Sequence, residues 1–297
     1  MPQLPNMPQA VFWTIISSIL VIAYTSTAKY LAMEELPVPV IVFFRCLFGL
    51  VFFVPWWLNH GVAGLSTKKP FLMASRGFFT MIGLYCLFTA LSQMPISDVI
   101  AIQYTKPIFA TFAAVLVLQE IMTKSRWIGV FIALAGMLLI VRPGFEEFNM
   151  GFLWAIGAMI SGAYTTISVK FLTRTEDPDK ITAWMVIGMT VSSAIPAFLV
   201  WELPGLEQLG WLAFAGLVAN GFQQTMARGY AHADATAIMP FEFSRLIFAS
   251  ISGYLFFSEG LGILTCAGAV LIFLSGLFIV RSESNSAPNP KKISKTY

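Results

Sequence analysis

Ser97–Glu120 reads SDVIAIQYTKPIFATFAAVLVLQE, an apolar run with an ammonium group, Lys106, and a helix breaker, Pro107, near its middle. About 20 apolar residues in a helix cross a hydrocarbon core of roughly 30 Å. Lys106 lies ten residues into this run, about 15 Å deep at about 1.5 Å per residue. A charge at that depth costs at least about 2.5–3.5 kcal/mol on insertion scales, so it must face a partner or a water-filled cavity. The last fifteen residues, KPIFATFAAVLVLQE from Lys106, recur in outline as RLIFASISGYLFFSE from Arg245.

Such runs occur along the whole chain. Of its 297 residues 57% are hydrophobic and 11% charged, against about 25% charged in soluble domains. Polar groups are too few to cover the molecule, so its solvent is largely lipid. Barrel strands would alternate in polarity over about ten residues, whereas these runs are continuous. The reading is an all-α integral membrane protein with ten spans: 10–31, 38–58, 70–91, 96–119, 126–142, 150–172, 181–201, 209–229, 235–257 and 260–281. The start, MPQLPNMPQA, has no basic residue, and the following apolar run exceeds a signal-peptide core, so it is read as a first span. The tail after residue 281 is polar and is expected to be a disordered cytoplasmic segment, 282–297.

With the N-terminus cytoplasmic, the inner segments hold Lys68, Lys69, Lys124, Arg126, Lys170, Arg174, Lys180, Arg228, Arg281, Lys291, Lys292 and Lys295, and the outer ones only Lys29 and Arg142. Cations favour the cytoplasmic side, so both termini are expected there. AYTSTAKYL from Ala23 resembles AYTTISVKFL from Ala163, and IVR at Ile140 recurs at Ile279. Lys106 to Arg245, Glu120 to Glu259 and Arg142 to Arg281 share an offset of 139 residues. The chain therefore divides into two five-span repeats, 10–142 and 150–281. Five is odd, so the copies are inverted in the bilayer. Inverted repeats are typical of alternating-access transporters, which bind substrate near the midplane at the repeat interface; some channels share them.

These features together resemble the drug/metabolite transporter superfamily in its EamA branch. The resemblance rests on ALSQMPISDVIAIQYTKPIFATFAAVLVLQE with RWIGVFIALAGMLLIVRPG, and on GYAHADATAIMPFEFSRLIFASISGYLFFSE with LGILTCAGAVLIFLSGLFIVR. It implies transport of a small metabolite, a class spanning amino acids, riboflavin, S-adenosylmethionine and drugs, in either direction. Leu246 stands where the first copy has Pro107, so a proline kink is not symmetric at that position.

Four cations fall inside spans: Arg45, Arg76, Lys106 and Arg245. Glu242 is the clear anion at that depth, one helical turn before Arg245. The expected cavity is net positive and suits a carboxylate or phosphate. Candidate substrate contacts are Arg45, Gln103, Tyr104, Lys106, Glu242 and Arg245. Glu242 and Asp98 are candidates for proton coupling, and Pro107 and Pro240 for helix breaks that free backbone carbonyls beside the charges. The bland readings are a structural Glu242–Arg245 pair, a helix tie at Arg45, and a Lys106 bonded to carbonyls that Pro107 frees. Arg76, six residues from its cytoplasmic end, reads as a snorkelling anchor. Glu120 and Glu259 read as helix caps or partners of basic loops. Tyr24, Tyr164, Phe241 and Phe243 are candidate pocket aromatics.

Cys46, Cys86 and Cys266 have no metal-ligand spacing and read as small core hydrophobes. Gly129, Ala133, Gly136, Cys266, Gly268 and Gly276 allow close helix contact, within the monomer or in a homodimer. No GxxxxGK[ST], HExxH or paired-carboxylate motif is present, so neither a cofactor nor a metal is expected; the cations behind the net charge of +3 are scattered over loops and spans, so nucleic acid is not expected either, and the partners are a small metabolite and the lipid bilayer. The reading is a multi-pass secondary transporter of the cell (inner) membrane, not an enzyme. Its substrate is an amino acid or another carboxylate such as S-adenosylmethionine, with riboflavin or a drug as the alternative. A membrane-embedded enzyme or a channel is the reading of a different class.

Overall fold

The computed structural model describes residues 7–51, 54, 57–58, 61–105, 124–141, 149–172, 175–232, 241–242, 244–260 and 262–286. Among them the regular structure is helical. The helices are α1 (Met7–Met33), α2 (Val38–Leu50), α3 (Pro70–Gln93), α4 (Ile96–Gln103), α5 (Lys124–Val141), α6 (Gly151–Leu172), α7 (Pro178–Leu199), α8 (Leu206–His232), α9 (Ser244–Phe257) and α10 (Ile263–Ser286), with a 3-10 turn at Val62–Leu65. Pro8–Met33, Pro70–Gln93, Gly151–Val169 and Lys180–Leu199 are long and apolar enough to cross a membrane; Val38–Leu50, Trp127–Ile140, Ser244–Phe257 and Ile263–Ser275 are shorter apolar helices. The side on which α1 begins is called here the N-side, and the other the far side.

Local chemistry sets the helix ends. Pro70 opens α3 and Pro178 opens α7, where a missing N–H costs nothing. After α1 the chain reverses through Glu35 at φ 62°, with Leu36 N–H bonding to the Leu31 carbonyl. This is a left-handed helix stop. α4 stops at Gln103 on tight bonds from Tyr104 N–H to Ala101 O and from Thr105 N–H to Ile102 O. Pro107 lies four residues on and cannot donate to the Gln103 carbonyl.

The helices pair across the chain: α1 with α8, α2 with α7, α3 with α6, α4 with α9 and α5 with α10. This pattern maps onto itself when the first five helices are exchanged with the last five. Between helices in lipid, packing rather than hydrophobic transfer does the holding, so close backbone approach matters. A Cβ on Gly77 would lie 2.8 Å from the Gly188 Cα, where α3 crosses α7. One on Gly136 would lie 2.6 Å from the Gly268 carbonyl oxygen, and Ser275 Oγ donates to the Gly129 carbonyl. The small residues Gly129, Gly136 and Gly268 thus pack α5 on α10 within the chain.

The large side chains buried most completely lie mainly toward the far side. Leu31, Ile41, Phe88, Leu91 and Ile96 come from the far-side ends of α1, α2, α3 and α4, and none is more than 1% exposed. Phe71, Ile195, Leu199 and Leu206 point outward, as lipid-facing residues do. Two expectations need correction. Cys46 and Cys86 are buried, but Cys266 is exposed on the outer face of α10, because helical rotation turns that position away from α5. Lys29 is a buried residue of α1, 6% exposed, and not a surface cation of an outer loop.

Candidate functional site

A cavity of about 820 Å³ occupies the N-side half of the molecule. Its walls come from Tyr24 on α1, Arg45 on α2, Arg76 to Leu87 on α3, Ala158 to Thr165 on α6, Thr182 to Met189 on α7 and Gly216 to Ala227 on α8. Gln103 and Arg245 close it from α4 and α9. Among the described residues of α1, α2, α3, α6, α7 and α8, those toward the far side are not part of the wall.

Two predicted arginines meet there through their aromatic supports. The Arg45 guanidinium lies over the Tyr24 ring at 5.4 Å, and that of Arg245 over the Phe222 ring at 5.4 Å. The two rings touch, with centroids 6.1 Å apart. The sequence guanidinium–ring–ring–guanidinium draws one residue each from α2, α1, α8 and α9. Ring faces attract cations without neutralising them, so the two rings orient both charges and cancel neither. Arg45 has a 4.0 Å contact to Cys46 Sγ, and Arg245 one of 3.9 Å to Met226 Sδ. Both are weak compared with a charge-assisted hydrogen bond. Nε of Arg45 and Arg245 and Nε2 of Gln103 are buried without a hydrogen bond to protein.

The remaining predicted residues sit differently. Glu242 approaches Arg245 at 3.9 Å, a loose ion pair, and is not part of the described cavity wall. The Tyr104 hydroxyl donates to the Glu242 main-chain carbonyl at 2.6 Å; it ties the end of α4 to the turn preceding α9. Asp98, in the first turn of α4, accepts a hydrogen bond from Thr265 Oγ1 on α10 at 2.7 Å. Tyr164 is held by Ser75 and lies against Phe79. Lys106, Pro107 and Pro240 lie outside the described residues, as do Glu120 and Phe243.

This arrangement is a cavity that carries three arginines and several amides among apolar lining residues, inside a bundle of apolar helices that pair across two halves. The profile of the EamA-like transporter family matches residues 8–142 and again 149–281. The chain belongs to the EamA-like transporter family. It is 27% identical over 274 residues to a protein named S-adenosylmethionine uptake transporter from Rickettsia bellii (strain RML369-C), covering 92% of this chain and 94% of that one. It is 26% identical over 290 residues to a riboflavin transporter of Vibrio cholerae, covering 96% and 97%. A pseudopaline exporter of Pseudomonas aeruginosa is 26% identical over 257 residues, covering 85% and 89%. A solved crystal structure superposes with a TM-score of 0.60 at 17% identity over 94% of this chain and 98% of that one, which bears on the fold alone.

For an EamA-like transporter, a multi-pass membrane protein, three features of the structure were not foreseen from the residues. Arg76 does not reach for the surface. It lines the cavity, and its Nη1 donates to the Ile181 carbonyl at 2.9 Å. Depth along α3 was readable; the face was not. Asn220, Gln223 and Gln224 add amides from α8, and the run NGFQQ in the middle of an otherwise apolar span was the available signal. Asn220 Nδ2 also bonds the Gly49 carbonyl at 3.1 Å.

The third feature lies at the far-side end. Lys29 Nζ pairs with Glu259 Oε1 at 2.5 Å and donates to the Met94 carbonyl at 2.6 Å. Glu259 Oε2 accepts from Ile96 N–H at 2.9 Å. Glu259 thus caps α4, a neighbouring helix and not the one it follows, and it also neutralises a buried lysine. Ser258, at φ 54°, turns the chain so that Glu259 folds back, and Glu259 N–H bonds the Gly253 carbonyl at 3.0 Å. On the N-side rim, Thr67 and Lys180 both donate to Glu176, and Lys180 reaches the Ser66 carbonyl. The Thr67 hydrogen bond, then that from Lys180, holds the Glu176 carboxyl below its ordinary value.

Proposed function

We propose that this chain is a secondary active transporter of the cytoplasmic membrane that moves a carboxylate-bearing metabolite, unchanged, by alternating access. Amino acids and S-adenosylmethionine are members of that class. The observation that carries the reading is a cavity confined to one half of the molecule, with Arg45 and Arg245 presented to it over Tyr24 and Phe222. A one-sided cavity opposite a packed far end is what one state of an alternating-access cycle requires. The exchangeable pairing of the two sets of five helices supports a rocking motion between repeats 10–142 and 150–281. With the N-side cytoplasmic, as the lysine and arginine bias indicates, both termini are inside and this state faces inward.

In this reading Arg45, Arg245 and Lys106 supply positive charge for the substrate carboxylate, and Gln103 a hydrogen bond. Glu242 meets a substrate amino group or carries a coupled proton, with Asp98 the second candidate for the proton. Tyr104 keeps the break between α4 and α9 in register. Pro107 and Pro240 supply the helix breaks.

The relatives named for riboflavin give a second reading. Tyr24, Phe79 and Phe222 with Asn220, Gln223 and Gln224 would suit a planar, hydrogen-bonding heterocycle.

The test is thermal stability of the purified protein against amino acids, S-adenosylmethionine, riboflavin and cationic drugs. A ligand that binds only the folded state raises the melting temperature. A rise with a carboxylate compound, lost in Arg45→Gln, is expected. A rise with riboflavin alone, unchanged in Arg45→Gln, would replace the first reading with the second.

A further inference from the structure

We propose that Arg76 is a second anion-binding point in the cavity and that the substrate carries two anionic groups. The inference rests on the reading that Arg45 and Arg245 take a carboxylate. It adds a charge at a different depth.

The cavity wall among the described residues contains three guanidinium groups, Arg45, Arg76 and Arg245, and no aspartate or glutamate. Glu242 stands behind Arg245 at 3.9 Å and offsets one charge at most. Low-dielectric walls focus such a field onto whatever enters. A zwitterion with one carboxylate leaves most of this charge uncompensated. S-adenosylmethionine, with a sulfonium and an ammonium, adds further positive charge to it. A dianion balances it.

The charges are also separated. Arg76 is six residues past Pro70, the N-side start of α3, roughly 9 Å along the axis at about 1.5 Å per residue. Arg45 is seven residues past Val38, the far-side start of α2, roughly 10 Å from that end. In a hydrocarbon core of roughly 30 Å the two Cα levels then differ by about 10 Å. Between them the wall is neutral: Thr80 and Gly83 from α3, and Asn220, Gln223 and Gln224 from α8. Arg76 is held in place, not free to leave for the surface, because Nη1 is anchored on the Ile181 carbonyl and Ile181 is itself buried. Its Nε is buried without a hydrogen bond to protein. The geometry suits a small molecule with an anionic group at each end, either a dicarboxylate or a carboxylate that also bears a phosphate.

The experiment is equilibrium binding to the purified wild type, Arg76→Gln and Arg76→Lys, with alanine, S-adenosylmethionine, riboflavin, succinate, adipate and 3-phosphoglycerate as probes. At least one dianion should bind the wild type about tenfold or more tightly than alanine or S-adenosylmethionine, as an added charge-assisted hydrogen bond provides. Arg76→Gln should erase that advantage, weakening dianion binding by a larger factor than monocarboxylate binding, and Arg76→Lys should keep much of it by retaining the charge. Succinate and adipate against 3-phosphoglycerate, whose phosphate brings up to a third charge, separate a second carboxylate from a phosphate. No dianion preference in the wild type overturns the proposal without need of any variant. So does an Arg76→Gln effect equal for one and two charges, which is the mark of a purely structural tie to Ile181. If monocarboxylates bind in an Arg45-dependent way without a dianion preference, only the present inference fails. If no anion binds and riboflavin does, the carboxylate reading itself fails.

Discussion

Lys29 and Glu259, 230 positions apart in sequence, form a 2.5 Å ion pair at the far-side end of the bundle, opposite the cavity. The pair joins α1 to the segment after α9, and through the Met94 carbonyl and Ile96 N–H it also holds the α3–α4 junction. Removing one partner of a buried pair strands a charge and costs about 3–5 kcal/mol. The pair should therefore bias the molecule toward the state with its far side closed. In Glu259→Gln, Cys46 on the cavity wall should become reactive to a membrane-impermeant thiol reagent applied from the far side. The rate should rise about tenfold in a background of Cys86→Ala and Cys266→Ser. The double change Lys29→Met with Glu259→Gln should be less stable than wild type by less than either single change. An unchanged labelling rate would remove the pair from the gate.

Gly253→Ala addresses the same contact from its other side. A Cβ there would lie 2.7 Å from Glu259 Oε2 and 3.2 Å from Ile96 Cγ2. The carboxylate must move, so transport should fall while membrane insertion is unaffected, and Cys46 labelling should resemble that of Glu259→Gln.

Where α3 crosses α7, Gly77→Ala places a Cβ 2.8 Å from the Gly188 Cα. Backbone cannot swing aside as a side chain does, and overpacking of this kind costs about 1–3 kcal/mol. The melting temperature in detergent should drop measurably. Gly210→Ala on α8 is the control: nothing lies within 4 Å of its Cβ, so it should be neutral or slightly stabilising, since alanine favours helix over glycine.

The depth of charges was readable in the sequence, and their direction was not. Arg45 and Arg245 reach the cavity because a charge in mid-span has few places to go, and rarity makes it conspicuous. Arg76 was equally visible, but its face depends on the rotation of α3 against α7, which the Gly77–Gly188 contact fixes in three dimensions. Lys29 and Glu259 each looked like an end-of-span residue; only the packing of α1, α3 and α9 brings them together. The Tyr104 hydroxyl bonds the main chain of residue 242, a contact invisible without the backbone path. The helices of the described residues overlap the apolar segments read from the sequence, and four of them are long and apolar enough to cross a membrane. The stop of α4 at Gln103 falls where Pro107 withholds a donor.

The N-side rim should respond to acid. Glu176 has its carboxyl held below the ordinary value of 4.5, first by Thr67 and then by Lys180. A depressed folded-state value means that the stabilisation is complete above 4.5 and is lost as pH falls through the lower folded value. The melting-temperature difference between wild type and Glu176→Gln should be constant from about pH 5.5 to 8 and shrink below pH 4.5. A difference that grows on acidification would contradict this.

Lys106→Ala should abolish transport while the protein still inserts and folds, as judged by its melting temperature. Near-normal transport would remove Lys106 from the substrate site.

The most direct test of the whole account is counterflow. Liposomes containing the purified protein, preloaded with an unlabelled anionic metabolite, are placed in a trace of the same compound in labelled form. A carrier that alternates around Arg45 and Arg245 should accumulate label transiently above equilibrium and saturate with concentration. Both effects should disappear in Arg45→Gln and in Arg245→Gln. Flux that neither saturates nor shows counterflow, or that survives both substitutions unchanged, would contradict it.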